Sequence, residues 1–146
     1  IYYIKHATNS EEALRFVENE KFSSSVKVVP YLDNLPALLK NTDLVVTRAG
    51  ASTMSEILSL KLPAIFIPSP YVANNHQYYN ALGIKNNGAG ELLEEKELTV
   101  EQLVNKINEV LNDEKKYNSM KENLKKISMD NSSDVIYKKL KDLIKW

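Results

Sequence analysis

Through residue 93, short apolar runs alternate with segments whose apolar residues recur at helical spacing. Residues 2–6 read as a strand. Residues 10–20 read as a helix, with Ala13, Leu14 and Val17 on one face and Asn9 or Ser10 as cap. Residues 26–31 form a β-branched strand, and residues 33–39 a short helix with Leu35, Leu38 and Leu39 inward. Residues 44–47 are uniformly apolar up to Thr47, as expected of a strand buried on both faces. A helix over 52–60, a strand over 64–67 closed by Pro68, and a turn-rich loop follow. A helix over 77–85, ended by Asn87-Gly88, leads to a short last strand over 89–93. Beyond it the pattern is helical only. Leu103, Ile107, Val110 and Leu111 make one apolar face, and Tyr117, Met120, Leu124 and Ile127 a second. Ile136, Leu140, Leu143 and Ile144 make a third, with 131–134 (Asn-Ser-Ser-Asp) as a helix start.

Strands alternating with helices at this spacing predict an α/β fold, a doubly wound parallel sheet of Rossmann-like type. In such sheets ligands bind beyond the carboxyl ends of the strands. The walls of a site are therefore expected at residues 6–9, 31–34, 47–53 and 68–77.

Composition narrows the function classes. The 146 residues suffice for one domain with a core, and no linker divides them. The chain has no cysteine and two histidines, which argues against disulfides, thiolate metal sites and a histidine-based zinc site. Nineteen basic residues balance nineteen acidic ones, so a strongly electrostatic nucleic-acid binder is not expected. No apolar run approaches the ~20 residues of a membrane span. The chain opens in a strand-like apolar run without Met, so a fragment of a longer protein is expected, with no signal peptide.

The stretch Asp43-Leu-Val-Val-Thr-Arg-Ala-Gly-Ala-Ser-Thr-Met-Ser-Glu56 organises the candidate chemistry. It reads as strand, tight turn on Gly50, and a helix starting at Ser52 or Thr53. Free N–H groups and the positive end of the helix dipole make such a start an anion site. Arg48 stands at the strand end, to contact the ligand or to fix the turn. Glu56 has two readings. It accepts hydrogen bonds from a sugar diol, or it folds back in a capping box with Thr53. The second polar stretch, 70–77 (Pro-Tyr-Val-Ala-Asn-Asn-His-Gln), offers Asn74, Asn75, His76 and Gln77 to sugar hydroxyls, or is an Asn-rich loop with a cap. No carboxylate is evident to make His76 a base, and His6 reads as a strand-end packing residue. Nine lysines fall between Lys115 and Lys145, a solvated helix face or a basic face for an anionic membrane surface.

Taken in order, the Arg-Ala-Gly-Ala block through Glu56, Leu-Pro-Ala-Ile-Phe-Ile-Pro, and Asn-His-Gln-Tyr-Tyr-Asn-Ala resemble the C-terminal domain of the MurG family. These are bacterial N-acetylglucosaminyltransferases that convert lipid I to lipid II in peptidoglycan synthesis. The resemblance runs from the first strand through about Ser128. It implies the glycosyltransferase-B fold, with residues 1–146 as the UDP-N-acetylglucosamine-binding domain of a longer enzyme. Glu56 then matches the acid on the ribose hydroxyls. Arg48, Gly50, Ala51, Ser52 and Thr53 match the turn facing diphosphate and sugar. His76 and Gln77 match polar residues reaching the N-acetylglucosamine, His76 being a variant. Tyr31 and Leu32 match the strand end whose backbone reads uracil, with Leu35 near the base. His6-Ala-Thr-Asn9 stands where the family has His-Gln-Thr-Gly.

The resemblance further implies lipid I as acceptor through a second domain that carries the base, so the catalytic residue is unknown here and this chain alone is expected to lack turnover. No metal or cofactor is expected. The location implied is cytoplasmic, peripheral on the inner face of the plasma membrane. Residues 133–146 are expected to cross to the other domain. The rival readings are another glycosyltransferase-B enzyme making glycolipids, and a non-catalytic nucleotide-sugar-binding domain.

Overall fold

A computed structural model describes residues 2–4, 15, 24–29, 32–127 and 132–144. Apart from Arg15, which is helical, the expected helix over 10–20 lies outside the described residues, as do the strand end at 6–9 and Tyr31. Backbone contacts divide the chain into two compact units, Ile1–Leu38 and Leu39–Trp146.

In the first unit β1 (Tyr2–Ile4) pairs in parallel with β2 (Lys27–Val29), Tyr3 opposite Val28. Helix α1 (Leu35–Leu39) follows, its last residue being the first of the second unit, and the Asn34 side-chain oxygen accepts the N–H of Ala37 at 3.3 Å, as an N-cap does.

The second unit holds a three-stranded parallel sheet in the order β3 (Val45–Thr47), β4 (Ala64–Phe66), β5 (Glu91–Leu92). Thr47 lies opposite Phe66, and Phe66 opposite Leu92, so the three strands end level. Parallel neighbours need crossovers, and helices supply them: α2 (Ala51–Leu60) joins β3 to β4, and α3 (His76–Asn86) joins β4 to β5. The fully buried strand is β4 rather than β3. Ala64, Ile65 and Phe66 are sealed from solvent, whereas Val46 of β3, an edge of this sheet among the described residues, is 39% exposed. With Ile57, Val110 and Leu124, Ile65 and Phe66 form the centre of the core. Burying a side chain of this size stabilises by about 1.5–3 kcal/mol.

Both crossover helices stop where the backbone turns left-handed. At the end of α2, Lys61 takes φ 53° and Leu62 N–H reaches Ile57 O at 3.1 Å. At the end of α3, Gly88 takes φ 63° and Ala89 N–H reaches Ile84 O at 3.1 Å. These are Schellman closures, and glycine carries the second without steric cost. Two residues on, Gly90 is buried. A Cβ there would stand 2.9 Å from Ile84 Cγ2, 3.1 Å from Phe66 Cε2 and 3.2 Å from Ala64 O, so glycine lets α3 close on β4.

The remaining helices are α4 (Val100–Asn112), α5 (Glu114–Ile127) and α6 (Ser132–Leu143). A capping box starts α4: Thr99 Oγ1 accepts from Gln102 N, and Gln102 Oε1 accepts from Thr99 N. Val110, Met120 and Leu124 of the expected α4 and α5 faces are buried, while Leu111 is left exposed. Tyr117 donates its hydroxyl to Asp43 O at 3.0 Å and so pins α5 to the turn before β3. On α6 the expected apolar face is open: Ile136, Leu140 and Leu143 are exposed, as is Ile144 just beyond the helix.

Candidate functional site

Beyond Thr47 the chain turns through Arg48, Ala49 and Gly50 into α2. Gly50 is the N-cap, with φ −68° and ψ 147°, and no side chain caps the helix. The helix therefore starts at Ala51, one or two residues earlier than expected, and the Thr53–Glu56 capping box is not formed. Thr53 is already in the first turn, and Glu56 is the sixth helical residue, exposed on the surface. Met54 N–H makes the first helical bond, to Gly50 O at 2.9 Å. The N–H groups of Ala51, Ser52 and Thr53 precede it and have no carbonyl of the helix to bond. Ala51 and Ser52 are exposed and Thr53 is half-buried.

Gly50 has no conformational reason to be glycine. Its φ is ordinary, and a Cβ there meets nothing within 4 Å. What the missing side chain leaves is open backbone beside three free donors and the positive helix end, a geometry suited to an oxyanion.

Neighbouring strand ends hold this turn in place. The Nη1 of Arg48 donates to Ile67 O, just past β4, at 3.1 Å, and to Glu95 Oε2, in the turn after β5, at 2.5 Å. The level strand ends bring these three segments together, since Ile67 N–H bonds Thr47 O and Leu93 N–H bonds Phe66 O. From the other side Asn80 of α3 donates to Ala49 O at 3.2 Å. Gln77 lies three residues earlier on the same face of α3. Its Oε1 accepts the N–H of Ser69 at 3.0 Å, so its remaining polar group is the donor NH₂.

The loop between β4 and α3 is shaped by two residues in succession in the left-handed region, Asn74 (φ 54°) and Asn75 (φ 51°). Asparagine tolerates that region better than other non-glycine residues. Backbone conformation thus accounts for the Asn-Asn pair that the sequence offered to sugar hydroxyls. His76, exposed at the first position of α3, is held by a 2.9 Å contact of Nδ1 with Ala73 O.

Among the expected site residues, Arg48, Gly50, Ala51, Ser52, Thr53, His76 and Gln77 belong to the second unit, at the carboxyl ends of β3 and β4 or the helix starts beyond them, and Glu56 belongs to the same unit, farther along α2. Leu32 and Leu35 belong to the first unit and are half-buried. Sequence reasoning missed Asn80, which stands three residues after Gln77, and Glu95, whose place depends on the register of β5. Among the described residues no group of three or more histidine, cysteine, aspartate or glutamate side chains is placed to hold a metal ion.

The chain matches the glycosyltransferase family 28 C-terminal domain over residues 1–136. It belongs to that family. Its relatives include a protein of Pediococcus pentosaceus, 36% identical over 143 residues and 98% of this chain. A protein of Bacillus cereus is 36% identical over 145 residues and 99% of the chain. Both are named UDP-N-acetylglucosamine–N-acetylmuramyl-(pentapeptide) pyrophosphoryl-undecaprenol N-acetylglucosamine transferase, the second with the number 1. The chain spans 40% of the length of each. Among solved structures, Acinetobacter baumannii MurG superimposes with a TM-score of 0.78 at 19% identity, over 97% of this chain and 42% of that one. The glycosyltransferase VinC in complex with DTDP superimposes with a TM-score of 0.68 at 20% identity, over 81% of this chain and 28% of that one. The α/β fold expected from the alternating pattern is the one these enzymes share.

Proposed function

We propose that this chain is the donor-binding half of an inverting N-acetylglucosaminyltransferase acting on lipid I, with UDP-N-acetylglucosamine as donor. The observation that carries the reading is the uncapped start of α2. Gly50 has neither a positive φ nor a steric neighbour to account for it, and it opens onto the free N–H groups of Ala51, Ser52 and Thr53. A diphosphate satisfies those donors. As a lipid-linked hydroxyl attacks C1 of the sugar, the C1–O bond to the diphosphate breaks and charge builds on the departing UDP. A preorganised helix start stabilises that charge where it develops. Arg48 adds a guanidinium at the same turn. Glu56, free of any cap, accepts the ribose hydroxyls, and Gln77 offers its NH₂ to an oxygen of the sugar. Tyr31, Leu32 and Leu35 are assigned to the uracil side. The relatives' names support the donor, the acceptor and the reaction.

The acceptor and the base belong, in this reading, to the part of the protein corresponding to the rest of the relatives' length. Residues 133–146 cross to that part, which is supported by the exposure of Ile136, Leu140 and Ile144 at 58%, 51% and 57%. The whole enzyme works in the cytoplasm, peripheral to the inner face of the membrane and drawn to its anionic surface. No helix among the described residues is long and apolar enough to cross a membrane.

Titration of the chain with UDP-N-acetylglucosamine, UDP-glucose and UDP-galactose, followed by NMR, tests the assignment. Saturable shifts at Gly50 to Glu56 with preference for the N-acetylated sugar are expected. Shifts with equal response to all three point to another glycosyltransferase of the same fold, such as those that share it here. No response to any of them removes the donor site.

A further inference from the structure

Glu95 lies outside every segment that the sequence marked as chemical, yet it is the acidic partner of the arginine at the candidate phosphate turn. Its Oε2 stands 2.5 Å from Arg48 Nη1, and the same nitrogen donates to Ile67 O at 3.1 Å. Two acceptors on one nitrogen occupy both of its hydrogens. They fix the plane of the guanidinium, and Nη2 and Nε remain as donors. The neighbouring carboxylates do other work: Glu94 and Glu97 face Lys96 at 3.3 and 3.9 Å. Glu95 is thus the carboxylate of its turn committed to Arg48. Both side chains are partly exposed, at 50% and 36%, so the contact adds little to stability.

We infer that Glu95 is a positioning residue: it holds the Arg48 guanidinium in one orientation so that the free donors are ready for the donor diphosphate. The inference rests on the donor-site reading above. Two effects of Glu95 on an anionic ligand oppose each other. Its charge repels the diphosphate, but across an exposed surface that repulsion is weakened by water and screened by salt. Its grip on Arg48 removes the rotamer freedom of a long side chain before the ligand arrives, and ordering such a side chain is a substantial cost of binding. The second effect is the larger, so removing Glu95 weakens binding although it removes a like charge.

The test uses the 146-residue chain with UDP and with uridine, which lacks phosphate, in NMR titrations of the native chain, Glu95→Ala, Glu95→Gln, Arg48→Ala and the Arg48→Ala/Glu95→Ala double variant. Glu95→Ala is expected to weaken UDP roughly three- to tenfold and leave uridine unchanged. Glu95→Gln keeps an acceptor for Nη1 without the charge, and UDP binds as tightly as to the native chain or more so. In the Arg48→Ala background Glu95→Ala has no further effect. Unchanged or tighter UDP binding by Glu95→Ala overturns the positioning role, as does an equal loss of uridine affinity or an undiminished effect without Arg48. Failure of the native chain to bind UDP overturns the donor-site reading along with it. Loss confined to the Arg48 variants leaves that reading standing and overturns the role of Glu95 alone.

Discussion

The side-chain oxygen of Gln77 accepts the backbone N–H of Ser69 at 3.0 Å, so α3 begins with an amide whose orientation is set by the end of β4. The NH₂ is then the group left for a ligand. Gln77→Glu keeps the acceptor and removes the donor, and high salt screens the negative charge that it adds. Calorimetry is expected to show UDP-N-acetylglucosamine binding about tenfold more weakly and UDP itself unchanged, the cost of one hydrogen bond of about 1.4 kcal/mol. Equal losses for both ligands would place Gln77 outside the sugar pocket.

Glu56 is exposed and too far into α2 to serve its start. Glu56→Ala is expected to leave thermal stability within about 0.5 kcal/mol of the native chain. UDP affinity should fall roughly ten- to hundredfold, as expected for lost hydrogen bonds to a charged group. With a 2′,3′-dideoxyribose analogue of UDP the variant and the native chain should bind alike. A variant that melts early while binding UDP normally would restore a structural role.

The pair Asn74 and Asn75 gives a third test. Replacing either by glycine keeps the left-handed backbone, and replacing it by alanine strains it. Urea unfolding is expected to show each alanine variant about 1 kcal/mol less stable and each glycine variant close to native. If the alanine variants are as stable as the native chain, the asparagines are there for their side chains.

An acid titration concerns the far side of the sheet. Glu109 of α4 lies 2.7 Å from Lys106 and 2.5 Å from Lys116, and Glu91 of β5 contacts both lysines. Hydrogen bonds from Lys106 and then Lys116 hold the Glu109 carboxyl at about 2, below its ordinary 4.5. A lowered carboxyl pKa contributes stability that is present above about 4.5 and lost as pH falls toward 2. Because Glu109 is nearly half exposed, that contribution is kept to under about 1 kcal/mol. Glu109→Gln is expected to be less stable than the native chain at pH 7, with the difference shrinking between pH 4.5 and 2 in urea melts.

Much of this was legible in the chain. Periodicity alone picked out Val110 of α4 and Met120 and Leu124 of α5 as inward residues, and Asn87-Gly88 announced the end of α3. Short-range patterns failed where two places looked alike. Thr53-Met-Ser-Glu56 and Thr99-Val-Glu-Gln102 are both candidate capping boxes, yet only the second forms. Thr99 stands just ahead of its helix, whereas Thr53 is overtaken by a helix that already begins at Ala51. Which residue starts a helix depended on where β3 ended, and no window of a few residues contains that. The approach of Glu95 to Arg48 was out of reach for the same reason, since it follows from strand order and register. Asn80 was closer to hand: it is one helical turn from Gln77, and the residue one turn along a helix from a candidate shares its face.

Gly50 carries a consequence for anyone selecting this protein for heat resistance. Serine or aspartate at an N-cap outperforms glycine by roughly a few tenths of a kcal/mol, and nothing around Gly50 resists a side chain. A thermostability screen would accept Gly50→Ser or Gly50→Asp. The new oxygen would take the same N–H groups that the diphosphate is proposed to use, and Gly50→Asp would add a like charge. Selection for melting temperature and selection for sugar transfer would then pull this one position in opposite directions.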